Sequence, residues 1–212
     1  MSAESVPATM RWRTAALIEP LSTPVHATRL AGDVKDRAVA ILGAGAIGLL
    51  MLRVARAHGA GRIVMTARSA ANRDRAMAFG ADGAVAPDPE AVREELGQSA
   101  DVVFDCVSEQ STVSQAIALA NRGGTVVVVG VPTGAVSIPL QIVQDGQIRI
   151  QGSATYLPED FADAMDLLRA GVVTAGDFVT AVHPLAAAAE AFRDADGGGH
   201  IKVLIAPDPD AV

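Results

Sequence analysis

Runs of consecutive apolar residues alternate along this chain with longer stretches in which apolar side chains return every three or four positions. Val39–Leu42, Ile63–Thr66, Val102–Val107, Thr125–Val129 and Ile148–Gln151 are of the first kind and predict strands, with Val85–Ala86 a shorter extended piece. Ile47–His58, Asn72–Phe79, a segment running to Leu96 and Thr112–Ala120 predict helices. Local punctuation agrees. Gly59 and Gly80 stand where two helices must stop, and Pro87-Asp88-Pro89 stands where another starts. Apolar strands separated by helices predict a parallel sheet covered on both faces, an α/β doubly wound fold with its ligand at the carboxyl ends of the strands.

Beyond Gly152 the texture changes. A helix Glu159–Ala170 opened by Pro158, an extended stretch Phe178–Val182, an alanine-rich helix Ala186–Ala195 and a last strand Ile201–Ile205 form a short C-terminal α/β extension. The expected organisation is a leading segment over 1–30, a central unit over 31–154 and the extension over 155–212. The tail Pro207-Asp208-Pro209-Asp210 is expected to fray.

The first strand runs directly into Gly43-Ala44-Gly45-Ala46-Ile47-Gly48. With a strand before it and a helix after it, this spacing marks a dinucleotide-binding turn, the Rossmann form of the doubly wound fold. Gly43 lets the chain turn sharply, Gly45 leaves room for a pyrophosphate, and Gly48 lets the helix pack against the sheet. The phosphates then meet the positive end of that helix. An NAD site places an acid about twenty residues further on, at the ribose 2′-hydroxyl. Here that position is Ala67, and Arg68 follows. A small residue beside an arginine favours a 2′-phosphate, so the reading is NADP(H), with Arg73 or Arg75 able to close the other side.

Composition narrows the remaining classes. The chain has 212 residues, half of them hydrophobic, and a net charge of −7, which argues against nucleic acid and anionic membranes as partners. One cysteine, Cys106, allows no internal disulfide, and a reducing, cytoplasmic setting fits. Met1–Arg13 carries no signal-peptide pattern, and the apolar stretch Ala38–Leu52 stops short of a membrane span. Other nucleotide and hydrolase patterns fail: Tyr156 is followed four residues later by Asp160 rather than lysine, Gly48 by Leu49 rather than lysine, and no serine sits in a Gly-x-Ser-x-Gly elbow.

Further segments carry a resemblance. Ala16-Leu17-Ile18-Glu19-Pro20-Leu21-Ser22 with His26-Ala27, Gly80-Ala81-Asp82, Asp101-Val102-Val103-Phe104-Asp105-Cys106, Gly130-Val131-Pro132 and Ile201-Lys202-Val203-Leu204-Ile205 resemble the zinc-type medium-chain dehydrogenases, nearest their polyol and threonine branch. The likeness covers about residues 14 to 206. It implies that Glu19 lies beside the catalytic zinc position and that Ser22 and Thr23 lie near the nicotinamide. Gly43, Gly45, Ala46, Ile47 and Gly48 would hold the pyrophosphate, and Cys106 and Val107 would run along the adenine side. Gly130, Val131, Gly152 and Ser153 would wall the nicotinamide, and Lys202 would reach the pyrophosphate.

In one respect the chain departs from that family. Its members carry an N-terminal domain that supplies the zinc ligands, whereas this chain begins just before the linker into the cofactor unit. His26, His58, His183 and His200 have no ligand spacing, so a zinc site within the chain is not expected. The expected function is an NADP(H)-dependent oxidoreductase acting on a small alcohol or carbonyl, with Glu19 and Thr23 as candidate catalytic residues. A homodimer, pairing along Ile148–Gln151, or a separate catalytic chain would complete it. Two alternatives stay open: a cofactor-binding module without its own turnover, and a non-redox enzyme using Glu19 as general base.

Overall fold

The computed structural model describes residues 6, 7 and 9–208. Part of the segment read as lacking a leader, residues 1–5 and 8, and the end of the tail, residues 209–212, lie outside the described residues.

Six strands form one parallel sheet: β1 Val39–Leu42, β2 Ile63–Thr66, β3 Gly83–Val85, β4 Ala100–Asp105, β5 Ala120–Val128 and β6 Arg149–Gly152. Their order is β3-β2-β1-β4-β5-β6, so the winding reverses between β1 and β4. All four residues of β1 are buried, which is why its sequence is apolar without alternation. Val39 and Ile41 enter one core layer with Leu49, Leu52 and Met165. Ala40 and Leu42 enter the other with Val92, Leu96 and Ile117.

The first layer is built by α2 Ile18–Ala31, α3 Ala46–Ala57 and α8 Pro158–Arg169, and the second by α5 Pro89–Leu96 and α6 Gln110–Leu119. Asp88 caps α5 as the Pro-Asp-Pro signal predicts, its side chain accepting from the Glu90 N–H at 2.9 Å. Short α1 Trp12–Ala15, then α4 Ala70–Ala78, α7 Leu140–Gly146 and α9 Ala175–Phe178 complete the set around the sheet.

Several boundaries differ from the sequence reading, each for a local reason. The leading segment contains the 14-residue helix α2, masked by Pro20 in its first turn and Pro24 in its interior. Strand β4 ends at Asp105 rather than Val107, because the Asp105 carboxylate accepts the N–H groups of Val107 and Ser108 and turns the chain there. Strand β5 starts at Ala120, directly after α6. Phe178 belongs to α9, where it meets Phe79 edge-on with ring centroids 5.1 Å apart. The alanine run forms a 3-10 turn over Leu185–Ala187 before α10 Ala188–Asp196. Strands β7 Val179–Pro184 and β8 Lys202–Ala206 pair in parallel as a separate two-stranded sheet. No helix among the described residues is long and apolar enough to cross a membrane.

Candidate functional site

The turn after β1 has a geometry that only its glycines allow. Gly43 has φ +100, and a Cβ there would stand 2.7 Å from Val107 Cγ2. At Gly48 a Cβ would stand 1.9 Å from the Gly43 carbonyl oxygen, so α3 could not approach the turn with any side chain at that position. Gly45 is different. It takes an extended conformation, caps α3, and a Cβ on it would meet nothing within 4 Å. Its glycine character answers no contact inside the protein. The first turn of α3 carries no acidic residue, which leaves its positive end open to an anion.

Two cavities flank this turn. One, of about 390 Å³, is lined by Gly43, Thr66, Arg68, Ser69, Asn72, Val107, Glu109 and Thr112 among others. The other, of about 940 Å³, is lined by Glu19, Thr23, Ile47, Cys106, Gly130, Val131, Ser153 and Tyr156 among others. The smaller lies at the carboxyl ends of β1, β2 and β4 and the larger at those of β4, β5 and β6, on the two sides of the point where the winding reverses. The loop 106–108 divides them, with Cys106 facing one and Val107 the other.

Asp105 holds that loop. It is fully buried and accepts from Val107 N at 3.0 Å, Ser108 N at 2.9 Å and Thr112 Oγ1 at 3.0 Å. Ser108 takes a positive φ of 61 to make this turn. Burial raises the Asp105 carboxyl above the ordinary carboxylate range, the three donated hydrogen bonds oppose the rise, and Glu109 adds to it. Burial, helped by the Asp105 charge, also pushes the Cys106 thiol up, so Cys106 lines its cavity as a neutral thiol.

The structure gathers some expected residues and separates others. Arg68 lines the smaller cavity, is exposed, and its guanidinium makes no hydrogen bond or ion pair among the described residues. Arg73 instead donates to the carbonyls of Ala67 and Arg68, both at 2.9 Å, and braces the end of β2 without lining the cavity. Cys106 stands on the larger side rather than beside Val107, because successive residues leaving β4 diverge around the loop. Ser22 is fully buried and donates to the Ile18 carbonyl at 2.7 Å, while its neighbour Thr23 reaches the cavity one helical turn from Glu19. Lys202 starts β8 and lines neither cavity. Ala46 opens α3, with Gly45, between the turn and Ile47.

Helix α2 carries Glu19 and Thr23, and a buried acid fixes it to α8. Asp160 is fully buried and contacts His26 Nδ1 at 2.7 Å, Arg29 Nε at 2.8 Å and the Leu157 N–H at 2.7 Å. Sequence patterning misses this clasp because His26 and Asp160 lie far apart in the chain. It also misses two features of the loop after β6. Ser153 is 8% exposed with its hydroxyl oxygen buried and unpaired, and Thr155 holds a positive φ of 57.

The fold and the paired cavities define an α/β unit built around a glycine-rich turn. Comparison with known proteins then gives the family: residues 46–170 match the zinc-binding dehydrogenases, and the chain belongs to that family. It is 33% identical over 211 residues to the sorbitol dehydrogenase of Ovis aries, covering 96% of this chain and 59% of that enzyme. The structure matches L-idonate 5-dehydrogenase of Escherichia coli with a TM-score of 0.85 and 28% identity, over 94% of this chain and 59% of the other. It also matches a protein of the zinc-binding dehydrogenase type from Sinorhizobium meliloti, solved with NADP bound, at a TM-score of 0.85 and 32% identity over 95% and 61%. The chain thus spans about 59% of the length of the curated relative it matches.

The cofactor and the metal that this family implies fare differently. A dinucleotide fits: Gly45 opens onto free space between the cavities, and Ser153 presents an unpaired hydroxyl in the larger one. A zinc ion does not. Among the described residues no group of three or more His, Cys, Asp and Glu side chains comes together, and a catalytic zinc takes about three protein ligands. Glu19 and a neutral Cys106 are the candidate donors lining the larger cavity, and they are too few.

Proposed function

We propose that the chain is the NADP(H)-binding unit of a medium-chain alcohol or polyol oxidoreductase. The observation that carries this reading is the pair of cavities on either side of Gly43–Gly48, the smaller containing the unpaired Arg68. The smaller cavity takes the adenosine half, with Arg68 against its 2′-phosphate, and the larger takes the nicotinamide half. The nicotinamide, when bound, exchanges a hydride with a small alcohol or carbonyl substrate. The residues of this chain orient it: Ile47 and Val131 wall the ring, and the Ser153 hydroxyl meets its polar edge. Glu19 and Thr23 are placed to contact substrate or relay a proton.

That no three metal-ligating side chains come together among the described residues favours a second reading, in which this chain binds cofactor without turnover of its own. A separate catalytic chain or a second copy paired along β6 then completes the site, and the setting is cytoplasmic. One titration series tests both readings. NADPH and NADH are followed by nicotinamide fluorescence, and hydride transfer to a carbonyl panel is assayed with and without zinc. Preferential NADPH binding is expected, and Arg68→Ala should weaken NADPH about tenfold or more while leaving NADH unchanged. Binding without transfer selects the second reading; no binding of either nucleotide overturns both.

A further inference from the structure

Loop 153–157 joins β6 to α8 and lines the larger cavity through Ser153, Thr155 and Tyr156. Thr155 is β-branched yet sits at φ +57, a left-handed conformation that strains such a residue. Strain of this kind persists only where the surroundings hold it. Here both ends of the loop are held. The Ser153 N–H donates to the Val128 carbonyl at 2.9 Å, and the Leu157 N–H donates to Asp160 Oδ2 at 2.7 Å. Asp160 is the third residue of α8, where an acid commonly caps its helix by reaching back to that N–H. Capping alone requires neither burial nor a second helix. Asp160 is nevertheless fully buried, with His26 Nδ1 standing 2.7 Å from Oδ2 and Arg29 Nε donating to Oδ1 at 2.8 Å. One carboxyl group thus ties the end of the strained loop to the helix that carries Glu19 and Thr23.

We infer that Asp160 is a positioning residue for the nicotinamide half of the cofactor, and that it acts by holding Thr155 in its strained conformation. Holding the loop keeps the buried, unpaired Ser153 hydroxyl in the wall of the larger cavity. Releasing its far end lets Thr155 relax to negative φ, which redirects the chain on both sides of it. The smaller cavity takes no residue from this loop or from α2, so its occupant should not sense the change. The inference rests on the dinucleotide reading above.

Calorimetric titration of the full chain with NADPH and with adenosine 2′,5′-diphosphate, which lacks the nicotinamide half, tests it below the melting temperature of every variant. Asp160→Ala should weaken NADPH about tenfold and leave the diphosphate unchanged. Asp160→Asn retains an acceptor for the Leu157 N–H and should recover most of the loss. Thr155→Gly removes the strain, since glycine takes positive φ freely. In that background Asp160→Ala should weaken NADPH by no more than about threefold. Should Asp160→Ala fail to fold, His26→Leu cuts one anchor on α2, leaves the Leu157 N–H paired, and should weaken NADPH alone, by about threefold. Equal losses for the two ligands overturn the inference, because the effect is then general to the fold. Unchanged NADPH binding in these variants, or a tenfold loss that persists in the Thr155→Gly background, also overturns it and leaves the dinucleotide reading intact. A wild-type chain that binds neither ligand overturns the dinucleotide reading and this inference with it.

Discussion

Asp105 does its work without touching either cavity. Its carboxylate closes the loop that separates them by accepting from both Val107 N and Ser108 N. Asp105→Ala leaves those N–H groups buried and unpaired, an expected loss of about 3 kcal/mol by chemical denaturation. Asp105→Asn retains an acceptor oxygen and should lose under about 1 kcal/mol. The raised carboxyl also sets a sign. Between its unfolded value, roughly 3.9, and its higher folded value, the native state binds the proton more tightly, so this residue's contribution to stability falls as pH rises through that window. That slope should vanish in the asparagine variant. At this scale the sequence was legible where backbone geometry alone decides, as at Gly43 and Gly48. It was not legible where side-chain direction decides. Ser22 and Thr23 are neighbours on a helix, yet one bonds back to Ile18 and the other faces the cavity.

Helix α2 shows the same limit for whole elements. Two prolines disguise it, and its stability comes from burial and from Asp160 rather than from helix-forming residues. Asp160→Ala removes the bonds to His26, Arg29 and Leu157 N together, and because Arg29 is 45% exposed its share is the smallest. The expected cost is about 2 kcal/mol in a thermal melt. Nucleotide affinity should fall with it, because α2 carries Glu19 and Thr23 and loop 153–157 closes the same cavity. The strands were far easier to read. Burial on both faces removes alternation, and each run of consecutive apolar residues stands out against the flanking helices. The pairing of β7 with β8 lay outside that signal, since these strands are only partly buried and choose each other over the main sheet.

For the whole molecule, strand order decides where chemistry can occur. Reversal between β1 and β4 leaves a crevice at their carboxyl ends, and the loops after these two strands form its floor and its divider. The small cavity, the glycine turn and the large cavity therefore lie in sequence across one end of the sheet, as a dinucleotide requires. Gly45 sits at the middle of that path with no protein atom within 4 Å of a would-be Cβ. Its backbone is extended, so valine is tolerated there without strain. Calorimetric titration of NADPH into wild type and Gly45→Val, with melting curves of both, therefore addresses the shared crevice directly. A single crevice-spanning site predicts a stability loss of no more than about 1 kcal/mol, the cost of valine as the cap of α3, and an affinity loss of about 100-fold, as the side chain enters the pyrophosphate's place. Wild-type affinity in the valine variant would contradict it.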